Sequence, residues 1–174
     1  TDPAHSLSDS FDLQIGNKVT LIESNLYALE IDAEELLKEF KEKYGAEIKT
    51  ILDRGTYLDR EDIADFFSLS LPGLDEFMAM LKILEIMDRR EYELFILDTA
   101  PAGHTMRFLS LPVLMQGYIK MLDSMEEKHR FLVKTFTKKY RRDKVDEFLE
   151  AMGEKVERVR SILKNPRKTE FIMV

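Results

Sequence analysis

Apolar residues recur along most of the chain at the spacing of amphipathic helices. This pattern predicts the longest helix after Asp143 and its end at Asn165-Pro166. The remaining faces of this helix are charged, which is typical of a surface helix in a helical subdomain. Its apolar stripe consists of Val145, Phe148, Leu149, Met152, Val156, Val159, Ile162 and Leu163.

A capping pattern predicts an earlier helix. Asp32 and Glu35 form a pair similar to a capping box, and Gly45 is expected to end the helix that follows. A second helix is predicted over 47–52. Asp59 can cap a third that runs through Phe67.

Residues 74–87 are apolar around most of the circumference of a predicted helix. Such a helix is either buried in a core or faces a hydrophobic partner. Met115, Met121 and Met125 lie on the helix that Pro112 would open, and their flexible thioethers suit varied apolar surfaces. Both readings, core packing and partner contact, stay open for these helices.

Three segments predict strands: 26–31, 94–97 and 171–174. The all-apolar run 94–97 suits a parallel sheet that is covered on both faces. Asp98 would then lie at the carboxyl end of its strand, where open α/β sheets bind ligands. We therefore predict an α/β protein rich in helices.

Residues 99–105 are predicted to form a tight loop after Asp98, with Thr105 as the cap of the next helix. A carboxylate at a strand end facing such a loop can hold Mg²⁺ in a phosphate-handling site. The alternative is that Asp98 caps the next helix or accepts hydrogen bonds from loop amides.

Composition limits the function classes. The 174 residues suffice for one domain with a core, and no linker-like tract divides them. The chain has no Cys, which excludes disulfides and cysteine metal sites within it. No apolar run is long enough for a membrane span and no signal peptide is recognisable, so we expect a cytoplasmic location.

The charge is unevenly distributed. Residues 128–144 carry eight Lys or Arg against one Asp, a net charge of +7, although the whole chain has −7 and the remainder therefore −14. This segment could meet an acidic partner or anionic lipid, or it could be a solvated face beside the chain's own acidic helices. Nucleic acid is not expected, because the acidic remainder would repel phosphate.

Two strings resemble a known family. Residues 1–9 read T-D-P-A-H-S-L-S-D, and residues 98–105 read D-T-A-P-A-G-H-T. They are similar to switch I and switch II of the arsenite-pump ATPases, a family whose other branch targets tail-anchored membrane proteins. Ala102 replaces the family's usual threonine.

The resemblance implies a P-loop NTPase-type parallel-sheet domain that hydrolyses ATP with Mg²⁺ at a homodimer interface. It places switch I at 1–9, the switch II strand and loop at 93–112, and a helical subdomain over about 33–90 and 113–165. Phosphoryl transfer depends mainly on positioned charge, which fits carboxylates in these loops. The implied roles are Asp2 as the catalytic residue that orients water, Asp98 as the metal ligand, Ser6, Thr99, Pro101 and Gly103 near the nucleotide, and His5 and His104 as switch and interface residues.

The family's glycine-rich phosphate loop and adenine-binding segment have no counterpart here. We therefore expect the sequence to be a middle piece of a longer ATPase and to be inactive alone. The absence of thiols favours membrane-protein targeting over metalloid transport. An arsenite or antimonite pump subunit remains the alternative, and a helical interaction module without nucleotide chemistry is the alternative of another class.

Overall fold

The computed structural model describes residues 6–56, 73–98 and 102–172. The predicted helix-rich α/β content is confirmed, although the part of the chain described here contains no parallel sheet. The elements in chain order are α1 (Ser6–Phe11), β1 (Thr20–Glu23), β2 (Leu26–Ala28), α2 (Ala33–Gly55), α3 (Leu74–Asp88), α4 (Ala102–Thr137) and α5 (Lys144–Leu163).

The small sheet is an antiparallel hairpin of β1 and β2. Thr20 pairs with Ala28 and Leu21 with Tyr27. Asn25 adopts a left-handed φ of 67° in the tight turn between the strands, a conformation that asparagine tolerates well. The strand predicted over 26–31 is therefore right in type, but it ends at Ala28.

The strands predicted over 94–97 and 171–174 are wrong for the described residues, because 94–97 and 171–172 have irregular backbone. Leu94 is 76% exposed, Ile96 81% and Ile172 83%. A strand is held by hydrogen bonds to a neighbouring strand, so apolar composition alone does not create one. These segments are apolar enough for a buried sheet but have no partner strand among the described residues.

Helix α2 begins as predicted and ends later. Asp32 caps it by accepting a hydrogen bond from the Glu35 backbone N–H at 3.0 Å. The helix does not stop at Gly45 but continues to Gly55, absorbing the separate helix predicted over 47–52. A mid-helix glycine costs only about 1 kcal/mol, which core packing on both sides of it offsets. The helix predicted from Asp59 to Phe67 lies outside the described residues.

Helix α4 is one continuous element. It begins at Ala102 rather than at Thr105, and Pro112 lies inside it instead of opening a new helix. An interior proline removes one backbone hydrogen bond and costs about 3 kcal/mol in a free helix. Leu111 and Met115 are both buried on either side of Pro112, and this packing keeps the helix continuous.

Helix α5 agrees closely with its predicted pattern. Asp143 accepts hydrogen bonds from the backbone of Val145 and Asp146, while Asp146 accepts one from the Asp143 backbone, which completes a capping box. The predicted stripe faces the core from Val145 to Val159. Only the expectation that α5 is the longest helix is wrong, because α2 and α4 are longer.

Helix α3 is a core element. Phe77, Met78, Met80 and Leu84 are buried among residues of α2, α4 and α5. Of the two readings left open for 74–87, core packing is therefore correct. The helix packs against other helices rather than against a sheet.

Helices α2 and α4 lie very close together at Gly55. A Cβ at this position would lie 2.4 Å from Met125 Cβ, closer than any real contact. We expect Gly55→Ala to lower the free energy of unfolding by about 2 kcal/mol, measured by urea denaturation of the full-length protein.

Gly153 in α5 supplies the control, because a Cβ there meets nothing within 4 Å. Gly153→Ala is expected to raise the free energy of unfolding by about 0.5–1 kcal/mol, because alanine has a higher helix propensity than glycine. Equal stabilities of the two variants would contradict the close approach.

Candidate functional site

The first candidate loop leads into the N-terminus of α4. Asp98 is exposed on irregular backbone four residues before the helix begins. Gly103 and His104, predicted to be in a loop, are instead in the first helical turn, where only their backbone is described. The first N–H groups of a helix have no helical partner and favour anions. Thr99 and Pro101 lie outside the described residues.

The second candidate loop leads into α1. Ser6 is the first residue of α1, and only its backbone is described. Asp2 and His5 lie outside the described residues. The structure therefore places Gly103 and His104 at the N-terminus of α4, Asp98 four residues before that helix along the chain, and Ser6 on a separate helix. The meeting of the two loops stays a prediction.

Ser8 anchors α1 to the chain that follows it. Its hydroxyl donates to the Ile15 carbonyl at 3.0 Å and accepts from the Ile15 N–H at 3.2 Å. Its backbone N–H donates to Glu30 Oε1 at 3.1 Å. Sequence reasoning did not single out Ser8, although it lies within the string at 1–9. Its contacts fix the segment that carries the first motif.

The described residues contain no group of three or more His, Asp or Glu side chains that could hold a metal ion. Asp98 is therefore not part of such a group in this part of the chain. One carboxylate is a common protein contribution to a Mg²⁺ site, because phosphate oxygens and waters complete the octahedron. The donor chemistry of Asp98 thus fits Mg²⁺ bound together with a nucleotide.

A charged network fixes the middle of α4. Arg54 Nη1 donates to Glu126 Oε1 at 2.9 Å and to Asp143 Oδ2 at 2.8 Å, which joins α2, α4 and the N-terminus of α5. Glu126 is fully buried, and its Oε2 has no hydrogen-bond partner among the residues that the structure describes. Burial raises the pKa of Glu126 although Arg54 opposes this. Burial alone would raise the pKa of Asp143. Hydrogen bonds from Arg54 and from the capped backbone outweigh this effect, so the pKa of Asp143 is lowered overall.

A second network lies one turn farther along α4. Arg130 donates to Asp123 Oδ1 and to Asp146 Oδ1, both at 2.8 Å. The Tyr140 hydroxyl also donates to Asp146. Burial and the hydrogen bond to Asp146 raise the pKa of Tyr140 to about 12. The two networks hold α4 against α2 and α5.

The raised pKa of Glu126 predicts a pH-dependent stability difference. The folded state binds this proton more tightly than the unfolded state, so the stabilisation is complete below the unfolded pKa and is lost as pH rises through the folded pKa. We expect the unfolding free energy of the wild type minus that of Glu126→Gln to increase as pH falls from about 7 to about 4. Urea denaturation across this range measures it. The assignment of the pH dependence to Glu126 would be contradicted if this difference in unfolding free energy did not change with pH. It would also be contradicted if Glu127→Gln, at an exposed position, gave the same pH dependence.

One face of α4 exposes apolar side chains. Val113 is 62% exposed, Leu114 39% and Met121 41%. We call these three residues the apolar face of α4. The methionines considered together in the sequence are separated here, because Met115 is buried and Met125 packs partly buried against the helical core. None of the helices in the described ranges is both long and apolar enough to cross a membrane.

Comparison with known proteins decides the family. All of the chain, residues 1–174, matches the family described as anion-transporting ATPase, ArsA_ATPase. The chain belongs to this ArsA-type ATPase family. The strings at 1–9 and 98–105 indicated the same family.

Several relatives of this ArsA-type chain are similar over most or all of its length. ATPase GET3C of Arabidopsis thaliana is 33% identical over 193 residues, which cover 100% of this chain and 49% of the relative. ATPase GET3 of Mycosarcoma maydis is 30% identical over 181 residues, which cover 100% of this chain and 52% of the relative. ATPase ASNA1 homolog of Dictyostelium discoideum is 35% identical over 131 residues, 73% of this chain and 36% of the relative. The chain thus spans at most about half the length of these relatives.

Proposed function

We propose that the full-length protein is a Mg²⁺-dependent P-loop ATPase that works as a homodimer and targets tail-anchored membrane proteins. The observation that carries this proposal is the family match over residues 1–174, which includes both motif strings. Relatives named ATPase GET3 support the targeting branch. The phosphate loop and adenine site would come from other parts of the protein, so the 174 residues alone would not turn over ATP.

The proposed site joins the two loops around the triphosphate. Asp2 orients the attacking water, and Asp98 holds Mg²⁺ together with phosphate oxygens. The N–H groups at the start of α4, including those of Gly103 and His104, suit a phosphate oxygen. Ser6, Thr99 and Pro101 complete the nucleotide contacts, and His5 and His104 respond to the γ-phosphate at the dimer interface.

Exposed apolar segments support the parallel sheet of this proposal. Leu94, Ile96, Phe171 and Ile172 are all more than half exposed. Side chains of this kind are normally covered, and exposed clusters of them mark surfaces that meet another element. In the full-length protein we infer that other parts of the chain cover these side chains and supply the parallel sheet. The helical subdomain over about 33–90 and 113–165 would then lie beside that sheet.

The apolar face of α4 supports an apolar client. Val113, Leu114 and Met121 expose side chains that a hydrophobic transmembrane segment would cover. Metalloid transport, the alternative within the family, would need soft ligands such as thiolates, and this chain has no Cys.

Met121 is the test position for client binding. Met121→Asp is expected to weaken capture of a fluorescent tail-anchored peptide by the full-length protein about tenfold, because the charge must be desolvated against the client. Ser161→Asp, which adds the same charge at an exposed position of α5, is the control and should bind normally. Unchanged capture by Met121→Asp would show that the client binds elsewhere. Met125→Asp is less suitable, because Met125 packs against the core.

ATP turnover separates this proposal from a helical interaction module. The full-length protein should release phosphate from ATP in the presence of Mg²⁺, and this release should cease when the metal is chelated. The absence of turnover in a folded full-length protein would favour the module.

A further inference from the structure

Residues 128–144 form the apex of a helical hairpin, which we call the basic tip. Helices α4 and α5 run antiparallel, because Gln116 contacts Glu157 at one level and Arg130 contacts Asp146 at another. Since α5 begins almost opposite Arg130, the last seven residues of α4 extend about 10 Å beyond it. Lys138 has a left-handed φ of 58° directly after α4, where the chain leaves the helix.

Most of the positive charge of the basic tip is free for an external partner. Arg130 pairs with Asp123 and Asp146, and Arg142 pairs with Glu150. The other cations are exposed, and none has a salt bridge to a residue in the described ranges. They are Lys128, Lys134, Lys138, Lys139, Arg141 and Lys144. The chain's own acidic helices, as far as they are described, therefore neutralise only a minor part of the positive charge of the basic tip.

Large apolar side chains stand among these cations. Phe131 is 68% exposed, Leu132 52% and Phe136 82%. Lys128, Leu132 and Phe136 are spaced four residues apart, so they share one face of the helix, and Phe131 adjoins it. A combination of exposed aromatic residues with lysines is typical of surfaces that lie at a membrane interface.

We propose that the basic tip is a membrane-contact site that binds bilayers containing anionic lipid. The lysines would contact the lipid headgroups, and Phe131 and Phe136 would enter the boundary between headgroups and acyl chains. A bilayer accommodates side chains that protrude from a helix end, whereas a protein partner needs a matching cavity. The remainder of the chain, with a net charge of −14, is repelled by an anionic surface and so orients the tip toward it.

Vesicle flotation with the full-length protein tests this site. We expect binding to vesicles of phosphatidylcholine mixed with phosphatidylglycerol, weaker binding at high salt, and no binding to phosphatidylcholine alone. The triple variant Lys134→Gln, Lys138→Gln, Lys139→Gln should reduce partitioning about a hundredfold. The matched control Lys38→Gln, Lys49→Gln, Lys164→Gln removes the same charge from exposed positions elsewhere and should bind like the wild type.

The aromatic side chains are tested separately. Phe131→Ser with Phe136→Ser should reduce partitioning at least about tenfold while the lysines remain. Equal loss in both lysine triples, or equal binding to the two kinds of vesicle, would overturn the proposal. The proposal would also be overturned if the wild type did not bind vesicles and the lysine triple changed only self-association, measured by sedimentation. The partner of the basic tip would then be a second copy of the protein. The lysine triple leaves Met121 intact and should still capture a client peptide, so this proposal can fail independently of the proposed function.

Discussion

Asp2→Asn is expected to lower kcat for ATP hydrolysis by the full-length protein by about two to three orders of magnitude. An amide keeps the size of the side chain but loses the charge that would orient and polarise the attacking water in the proposed site. Removal of one preorganised electrostatic group from a reaction centre has effects of this size. Because the group acts mainly in the transition state, KM for ATP should change little. Steady-state phosphate release measures both constants.

Asp9→Asn is the matched control for this prediction. Asp9 belongs to the same string, but it is exposed on α1. The same change of charge and shape there should leave kcat within about twofold of the wild type, since it removes no group from the proposed site. Equal loss in both variants would assign the effect to the segment as a whole rather than to Asp2.

Arg54→Met is expected to lower the free energy of unfolding by about 3 kcal/mol. The substitution leaves Glu126 fully buried without its cation and removes a hydrogen bond from the Asp143 cap. Losing one partner of a buried pair costs more than the pair itself contributes, because a desolvated charge remains. Urea denaturation of the full-length protein at neutral pH measures the loss.

Two further variants test the cause. Arg158→Met removes an arginine whose partner, Asp88, is about half exposed, and should cost less than about 1 kcal/mol. Adding Glu126→Met to Arg54→Met should restore much of the stability, because an apolar pair replaces the isolated carboxylate. No recovery in the double variant would show that burial of the Glu126 charge is not the main cost.

Local signals in the sequence predicted the parts of the fold that local physics determines. The cap at Asp32, the helix start at Asp143 and the apolar stripe of α5 all appear in the structure. Gly45 and Pro112 were misleading, because tertiary packing outweighs the local helix-breaking tendency of single residues. The segment 94–97 has the composition of a strand, but strand pairing depends on chain that is remote in the sequence.

The candidate site was predicted from the position of Asp98 after an apolar run and from two strings that resemble a family. The family is confirmed, whereas the roles of Asp98 and of the residues around Gly103 stay predictions. The Arg54 network was not predictable, because Arg54 is separated from Glu126 by 72 positions and from Asp143 by 89. No sequence pattern distinguishes Arg54 or Glu126 from the other charged residues of their helices.

The length of α4 gives the molecule a lever arm. Its 36 residues span about 54 Å. Gly103, near the proposed γ-phosphate, lies at one end of this length, and the apex that carries Phe136 lies at the other. Pro112 removes one backbone hydrogen bond near the nucleotide end of α4, and the helix therefore bends most easily there. A rotation of about 5° there would displace Thr137 by about 3 Å. Small rearrangements around a phosphate would thus be amplified mechanically at the distal end of a single rod.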